Sequence, residues 1–219
     1  MRLPRHPNLV PFDRVVTDEL EGRVVGFTNN DISGGSLEEN RSRVFRLKWL
    51  QQLTNLADDL NLCFGISHED IAPRNLVIND STDCMMLFDF NFAARINCSS
   101  RLEDEGYVEE RNDVKWVELT MYEIITRDDS LRRVPHEDQH EDNLPRDWVK
   151  HVHVQLGHAF ADYQLLLQDW KVRRLSKDTH DGLGNKLPEI INWTARPKPP
   201  KTTWNVLDSN FNPLALVVD

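Results

Sequence analysis

From Ile66 to Asn91 the chain reads I-S-H-E-D-I-A-P-R-N-L-V-I-N-D-S-T-D-C-M-M-L-F-D-F-N, and this stretch constrains the fold more than any other. Asp70 and Asn75 stand ahead of a short apolar run, Leu76-Val77-Ile78. A polar turn from Asn79 to Asp83 follows, then a second apolar run, Met85 to Phe88, and then Asp89. Two apolar runs around a cluster of Asn, Asp, Ser and Thr predict a tight antiparallel hairpin. A hairpin brings the chain back to where it started, so Asp89 is expected beside Asn75, with Asp70 on the same cleft edge.

Oxygen ligands gathered in this way suit phosphoryl transfer, which needs little covalent help and much positioning: a carboxylate orients the attacking hydroxyl and metal ions neutralise phosphate charge. Asp70 fits the first role. Asn75 and Asp89 supply hard oxygen ligands of the kind magnesium takes alongside phosphate oxygens.

On these residues the chain resembles the eukaryotic protein kinases, whose catalytic loop reads H-R-D-L-x-x-x-N and whose metal motif reads D-F-G. His68, Asp70, Asn75, Asp89 and Phe90 fall on the family pattern, while Glu69 replaces the arginine and Asn91 the glycine. Asn tolerates a left-handed backbone better than most residues, so Asn91 need not break the loop. Glu69 is the larger departure, because a carboxylate would repel the phosphorylated loop that the family's arginine can pair with. Arg74 resembles the tyrosine-kinase form of the loop, and Ala72 sits where serine/threonine kinases carry a lysine, which leaves the substrate type open.

Ahead of this region, H-P-N-L-V-P-F at His6 to Phe12 leads into alternating apolar residues through Val16, a polar turn Thr17 to Gly22, and a second run Arg23 to Phe27. This is a strand-hairpin signal, similar to the last two long strands of the kinase small lobe. On that alignment the chain begins after the glycine-rich loop, the third-strand lysine and the helix carrying that lysine's glutamate partner. An incomplete ATP site is the expectation. Thr28 to Gly35 resembles the hinge, with Thr28 and Asn29 as candidates to meet an adenine. Ser36 and Glu39 form a capping box, predicting a helix in which Leu47, Leu50, Leu53, Ala57 and Leu60 make one buried stripe that ends near Gly65.

Phe92 to Asn112 is polar and charged and corresponds to the activation segment, without an A-P-E and short for a protein kinase; Tyr107 and Ser99 are modification candidates there. Asp113 to Thr126 places Val114, Val117, Met121 and Ile124 or Ile125 on one helix face. It resembles the central helix of the kinase large lobe, D-V-W-S-x-G-x-x-x-Y-E-x-x-T, in which the aspartate holds the catalytic-loop backbone. Asp is equally suited to a plain N-cap, and both roles put Asp113 at the helix start. His136-Glu137-Asp138-Gln139-His140 matches H-E-x-x-H formally, but it follows Pro135 and has no apolar residue inside it, so a solvated linker is expected rather than a zinc site. His151, His153 and His158 are placed around the start of a further helix whose buried face is Phe160, Tyr163, Leu167 and Trp170. Lys171, Arg173 and Arg174 are expected near its C-terminus, where the helix dipole favours cations. Beyond Ser176 come loop signals, a stiff polyproline-type segment from Arg196 to Lys201, and Trp193, Trp204 and Phe211 as anchors of a tail.

The formal net charge of −10 argues against a general nucleic-acid or anionic-membrane surface. No apolar run is long enough to span a bilayer, and the start M-R-L-P-R-H-P-N lacks the apolar core of a signal peptide, so the expected location is cytoplasmic or nuclear. Cys63, Cys84 and Cys98 are odd in number and lack CxxC spacing, which points to reduced thiols; the sequon Asn97-Cys98-Ser99 goes unread in such a compartment.

Together these readings predict an α+β, protein-kinase-like fold: a partial small lobe of two strands with the hinge over 1–30, a mainly α-helical large lobe over 31–175, and a Pro- and Trp-containing tail over 176–219. The resemblance implies an ATP-dependent phosphotransferase with Asp70 as base, Arg74 near the substrate hydroxyl, Asn75 and Asp89 as magnesium ligands, and His68, Phe90 and Asp113 as structural support. A protein substrate or protein partner is implied, with weakened Mg-ATP binding. The alternatives are a pseudokinase or fragment that acts as a binding module, and a small-molecule kinase of the aminoglycoside phosphotransferase type, which shares H-x-D-x-x-x-x-N. The Asp113 helix favours the protein-kinase branch.

Overall fold

The structure, a computed structural model, describes residues 5–20, 22–96, 113–135, 138–180, 205–207 and 213–215. Ser99, Tyr107, Cys98, His136, Glu137, Trp193, the 196–201 segment, Trp204 and Phe211 lie outside the described residues. The chain divides into two compact units, one of Leu3–Ile190 and one of Met1–Arg2 with Ile191–Asp219.

In the larger unit, strands β1 (Phe12–Thr17) and β2 (Val24–Asn29) pair antiparallel, Val15 opposite Phe27 and Val16 opposite Gly26. Phe12 and Phe27 pack ring to ring at 6.2 Å, yet Phe12, Val15, Val24, Val25 and Phe27 all stay exposed. The hairpin therefore contributes little to the core. The expected connector begins two residues later than predicted: Thr28 and Asn29 are ladder residues of β2, opposite Arg14 and Phe12. What ties this end of the chain down is the segment before β1, where Val10 N–H donates to Leu87 O at 3.0 Å, Leu87 N–H to Asn8 O at 2.8 Å, and the Asn8 amide to Met85 O at 2.7 Å.

The capping box forms, with Ser36 N–H on Glu39 Oε2 at 2.8 Å and Glu39 N–H on Ser36 Oγ at 3.2 Å, but it closes a turn rather than opening the helix. The reason lies in the neighbouring donors: Leu37 N–H goes to Leu76 O and Glu38 N–H to Pro73 O, so this backbone is bound to the loop after Asp70. Helix α1 starts later, at Leu47, and runs to Asp58. Its stripe Leu50, Leu53, Ala57 and Leu60 is wholly buried, and the helix passes without a break into a five-residue π turn, Asp59–Cys63.

Strand β3 (Ile66–Ser67) pairs with β6 (Ala94–Arg95), and between them β4 (Leu76–Asn79) and β5 (Cys84–Leu87) form the hairpin, Leu76 opposite Leu87 and Ile78 opposite Met85. Helix α2 (Asp113–Thr126) runs through the centre, with Trp116, Val117, Leu119, Met121 and Ile125 in the core. Helix α3 (Phe160–His180) docks by Tyr163 and Trp170, whose polar ends donate to Phe45 O at 2.6 Å and Asp58 Oδ1 at 3.0 Å. This helix is longer than predicted and crosses the expected boundary at residue 175. Lys171 and Arg174 consequently lie in mid-helix, held by carboxylates of α1 and α2 rather than by the helix dipole. In the smaller unit β7 (Asn205–Leu207) pairs antiparallel with β8 (Pro213–Ala215). The described elements are thus helices and two-stranded antiparallel sheets, and among the described residues no helix is long and apolar enough to cross a membrane.

Candidate active site

The loop from Ser67 to Asn75 is buried along almost its whole length, with His68, Asp70 and Asn75 each at most 3 % exposed. Buried backbone N–H groups need partners, and the first ones here find a carboxylate instead of another strand. Asp113, at the start of α2, accepts His68 N–H at 2.9 Å, Glu69 N–H at 3.0 Å and the Ser67 hydroxyl at 3.3 Å. Glu69 has φ +61°, a left-handed conformation that a non-glycine residue keeps only when its surroundings impose it. Asp113 imposes it. Its side chain serves the loop, and Glu69 itself is buried rather than turned outward.

His68 stands at the centre of the cluster. Its Nε2 lies 3.0 Å from Phe88 O, Asp70 N–H points at its Nδ1 at 3.3 Å, and its ring meets Phe90 edge-on at 4.6 Å. A nitrogen facing a carbonyl and a nitrogen facing an N–H define the neutral imidazole protonated on Nε2. Burial holds its pKa below the ordinary value, against the opposing pull of Asp113, the Phe88 carbonyl, Asp70 and Asp89. The unfolded chain protonates near pH 6.5 and the folded one lower, so below about pH 6.5 the unfolded state binds more protons and stability falls as the pH falls. His68→Gln should flatten that dependence in the metal-free chain, by up to about 1.4 kcal/mol per pH unit. Urea midpoints at three pH values below 7 measure it; an equally steep loss in the variant would mean that His68 is not the titrating group.

Asp70 is held on both oxygens: Oδ1 by an ion pair with Arg74, and Oδ2 by the Asn75 amide at 2.9 Å, which also donates to Asp70 O at 2.9 Å. The hairpin then does what its sequence predicts. Phe88 N–H donates to Asn75 O at 3.1 Å while Phe88 O meets His68, and the next residue, Asp89, has φ +65°. Asp70, Asn75 and Asp89 are in this way drawn together around His68, within electrostatic reach of its ring for both carboxylates. With both Nδ2 hydrogens directed at Asp70, Asn75 has Oδ1 left to accept or ligate. That oxygen and the Asp89 carboxylate fit a hard cation that brings further oxygens of its own. Among the described residues no group of three or more His, Cys, Asp or Glu is placed to hold a metal without such help. Thr28 and Asn29 are not drawn in: the Thr28 hydroxyl donates to Asp13 at 3.0 Å, and neither residue has a hydrogen bond with the cluster among the described residues.

Sequence reasoning missed the supports behind the loop. Thr120 Oγ donates to Ile71 O at 2.8 Å, and Arg132 Nη2 reaches the same carbonyl at 3.0 Å. Arg132 also pairs with Glu123 at 3.1 Å and lies 4.9 Å over the Trp116 ring. Asn61 and Arg174 extend the support on the other side of Asp113. None of these belongs to a short motif; only the amphipathic spacing of α2 could have marked Thr120 as facing the loop.

Over 104 residues, 45 % of its length, the chain is 31 % identical to CBL-interacting protein kinase 2 of Oryza sativa subsp. japonica, and over 102 residues, 43 % of its length, 31 % identical to CBL-interacting serine/threonine-protein kinase 15 of Arabidopsis thaliana. Part of this chain is similar to protein kinases. The chain spans about a fifth of the length of the curated relatives it matches, 22 % of each of these two. No protein-family model matches it.

Proposed function

We propose that the cluster around Asp70 is a phosphotransferase centre of protein-kinase type, set in a protein-kinase-like fold with a mainly α-helical large lobe, β1 and β2 being strands of its small lobe. The observation that carries this reading is the Asp70 carboxylate, buried, oriented on one oxygen by Arg74 and on the other by Asn75, with Asp89 as a second carboxylate acting on the same His68 ring. In this reading Asp70 accepts the hydrogen bond of a substrate hydroxyl and aligns it. Arg74, with its side chain 45 % exposed, is the group that such a substrate meets first. Asn75 Oδ1 and Asp89 would hold magnesium, which when bound with ATP neutralises phosphate charge.

Mg-ATP binding by these 219 residues is weak in this proposal. The chain carries a net charge of −10, and the two guanidinium groups set beside Asp70, those of Arg74 and Arg132, already face carboxylates. A ligand at a hundred times its Kd stabilises a fold by about 2.7 kcal/mol, a melting shift of roughly 5 to 10 °C at this size. The expected shift at millimolar Mg-ATP is smaller, about 1 to 3 °C, requires magnesium, and disappears in Asp89→Ala; phosphate transfer to a generic protein substrate stays near that of Asp70→Asn. A shift that survives Asp89→Ala would remove the site from this cluster. A full shift with an Asp70-dependent rate would overturn the weak-binding part alone, and no shift under any condition would favour a binding module.

A further inference from the structure

Among the described residues, helix α3 reaches the loop through the Asn61 amide. The Asp113 carboxylate that holds His68 and Glu69 receives one more donor, Asn61 Nδ2 at 2.5 Å, and the same Nδ2 donates to Ile66 O at 2.8 Å. On its other side Asn61 Oδ1 accepts from Arg174 Nη2 at 2.8 Å. A side-chain amide turned over keeps its shape but exchanges donor for acceptor. Turned over here, Asn61 would set an oxygen against the Asp113 carboxylate and the Ile66 carbonyl, and an NH2 against a guanidinium. Arg174 on one side and the two acceptors on the other therefore select one orientation together.

The π turn explains how Asn61 comes to be there. At the end of α1 it adds one residue to a turn, and such insertions redirect side chains at functional positions; Asn61 in its middle is 5 % exposed. Arg174 is 7 % exposed, and its Nη1 lies on Asp58 Oδ1 at 3.1 Å beside the Trp170 indole. One nitrogen of this guanidinium thus docks α3 on α1, while the other continues to the loop.

We propose that Arg174 is a positioning residue: by fixing the Asn61 amide it sets how firmly Asp113 holds the left-handed turn at Glu69, and so the direction of Asp70. The consequence for transfer rests on Asp70 being the reacting carboxylate; the mechanical coupling does not. Native-state hydrogen exchange separates the two. In Arg174→Ala, the His68 and Glu69 amides should exchange about tenfold to a hundredfold faster, beyond any change at α1 core amides such as Leu53, because a buried hydrogen bond to a charged group is lost. Tyr163→Phe weakens the α3 dock at Phe45 O without touching Arg174 or Asn61, so it should speed exchange evenly across the unit. Should Arg174→Ala fail to fold, Arg174→Gln is read in the same way. Equal factors at the loop and at Leu53 in the Arg174 variant, or the same loop-selective increase in Tyr163→Phe, would overturn the proposal. Selective exchange together with a Mg-ATP melting shift that survives Asp89→Ala would leave the coupling standing and remove the phosphotransferase site from this cluster.

Discussion

Asp113→Ala should melt about 6 to 12 °C below the parent chain, because at this size each kcal/mol shifts the midpoint by about 2 to 4 °C and the loss is about 3 kcal/mol or more. The carboxylate is 1 % exposed and receives donors from Asn61, Ser67, His68 and Glu69. Its removal leaves buried donors without an acceptor, and each unsatisfied group costs about 1 to 3 kcal/mol. The same change releases Glu69 from a conformation that costs energy unless it is held. Asp138→Ala is the comparison, since Asp138 is exposed and such changes usually stay within about 0.5 kcal/mol. Differential scanning calorimetry of both variants decides it: equal melting temperatures would mean that Asp113 is an ordinary helix cap.

Trp116→Ala should lose about 3 to 5 kcal/mol, the usual range for deleting a fully buried aromatic side chain. Its ring is entirely buried one turn along α2 from Asp113, and it is the surface on which the Arg132 guanidinium lies. Two effects are combined in that number. One is the cavity left in the core, and the other is the loss of a platform for Arg132, which supports Ile71 O directly after Asp70. Trp116→Phe keeps an aromatic face and much of the volume, so it should recover more than half of the loss. Urea titration measures both variants, and a cost below about 1 kcal/mol for Trp116→Ala would contradict the placement of this ring.

Where side-chain alternation and turn chemistry acted locally, the sequence was readable. The two apolar runs around 79–83 form β4 and β5 as an antiparallel hairpin, and the stripe from Leu50 to Leu60 is the buried side of α1. The 113–126 segment carries its own start signal in Asp113 and is a helix over that span. Expectations failed where a group's partner lies far away in the chain. Ser36 and Glu39 form a capping box, but the donors beside them are taken by Leu76 O and Pro73 O, so no helix can begin there. Arg174 reads as a cation at a helix end because nothing near it in sequence announces Asp58 and Asn61, more than a hundred residues earlier. The π turn at Asp59–Cys63 left no trace in the apolar spacing, which continues through Leu60. Of the cluster, Asp70, Asn75 and Asp89 were legible through their spacing and the hairpin, whereas Thr120, Arg132 and Asn61 act through single hydrogen bonds across the fold.

The grip of Asp113 on the loop is made on main-chain N–H groups, at His68 and at Glu69. Every amino acid except proline carries that donor. The hydrogen bond itself therefore does not depend on which side chain stands at position 69, provided the residue can adopt a left-handed backbone. What a change at position 69 alters is the packing of a side chain that is 2 % exposed, while the main-chain bonds that aim Asp70 need no particular side chain there.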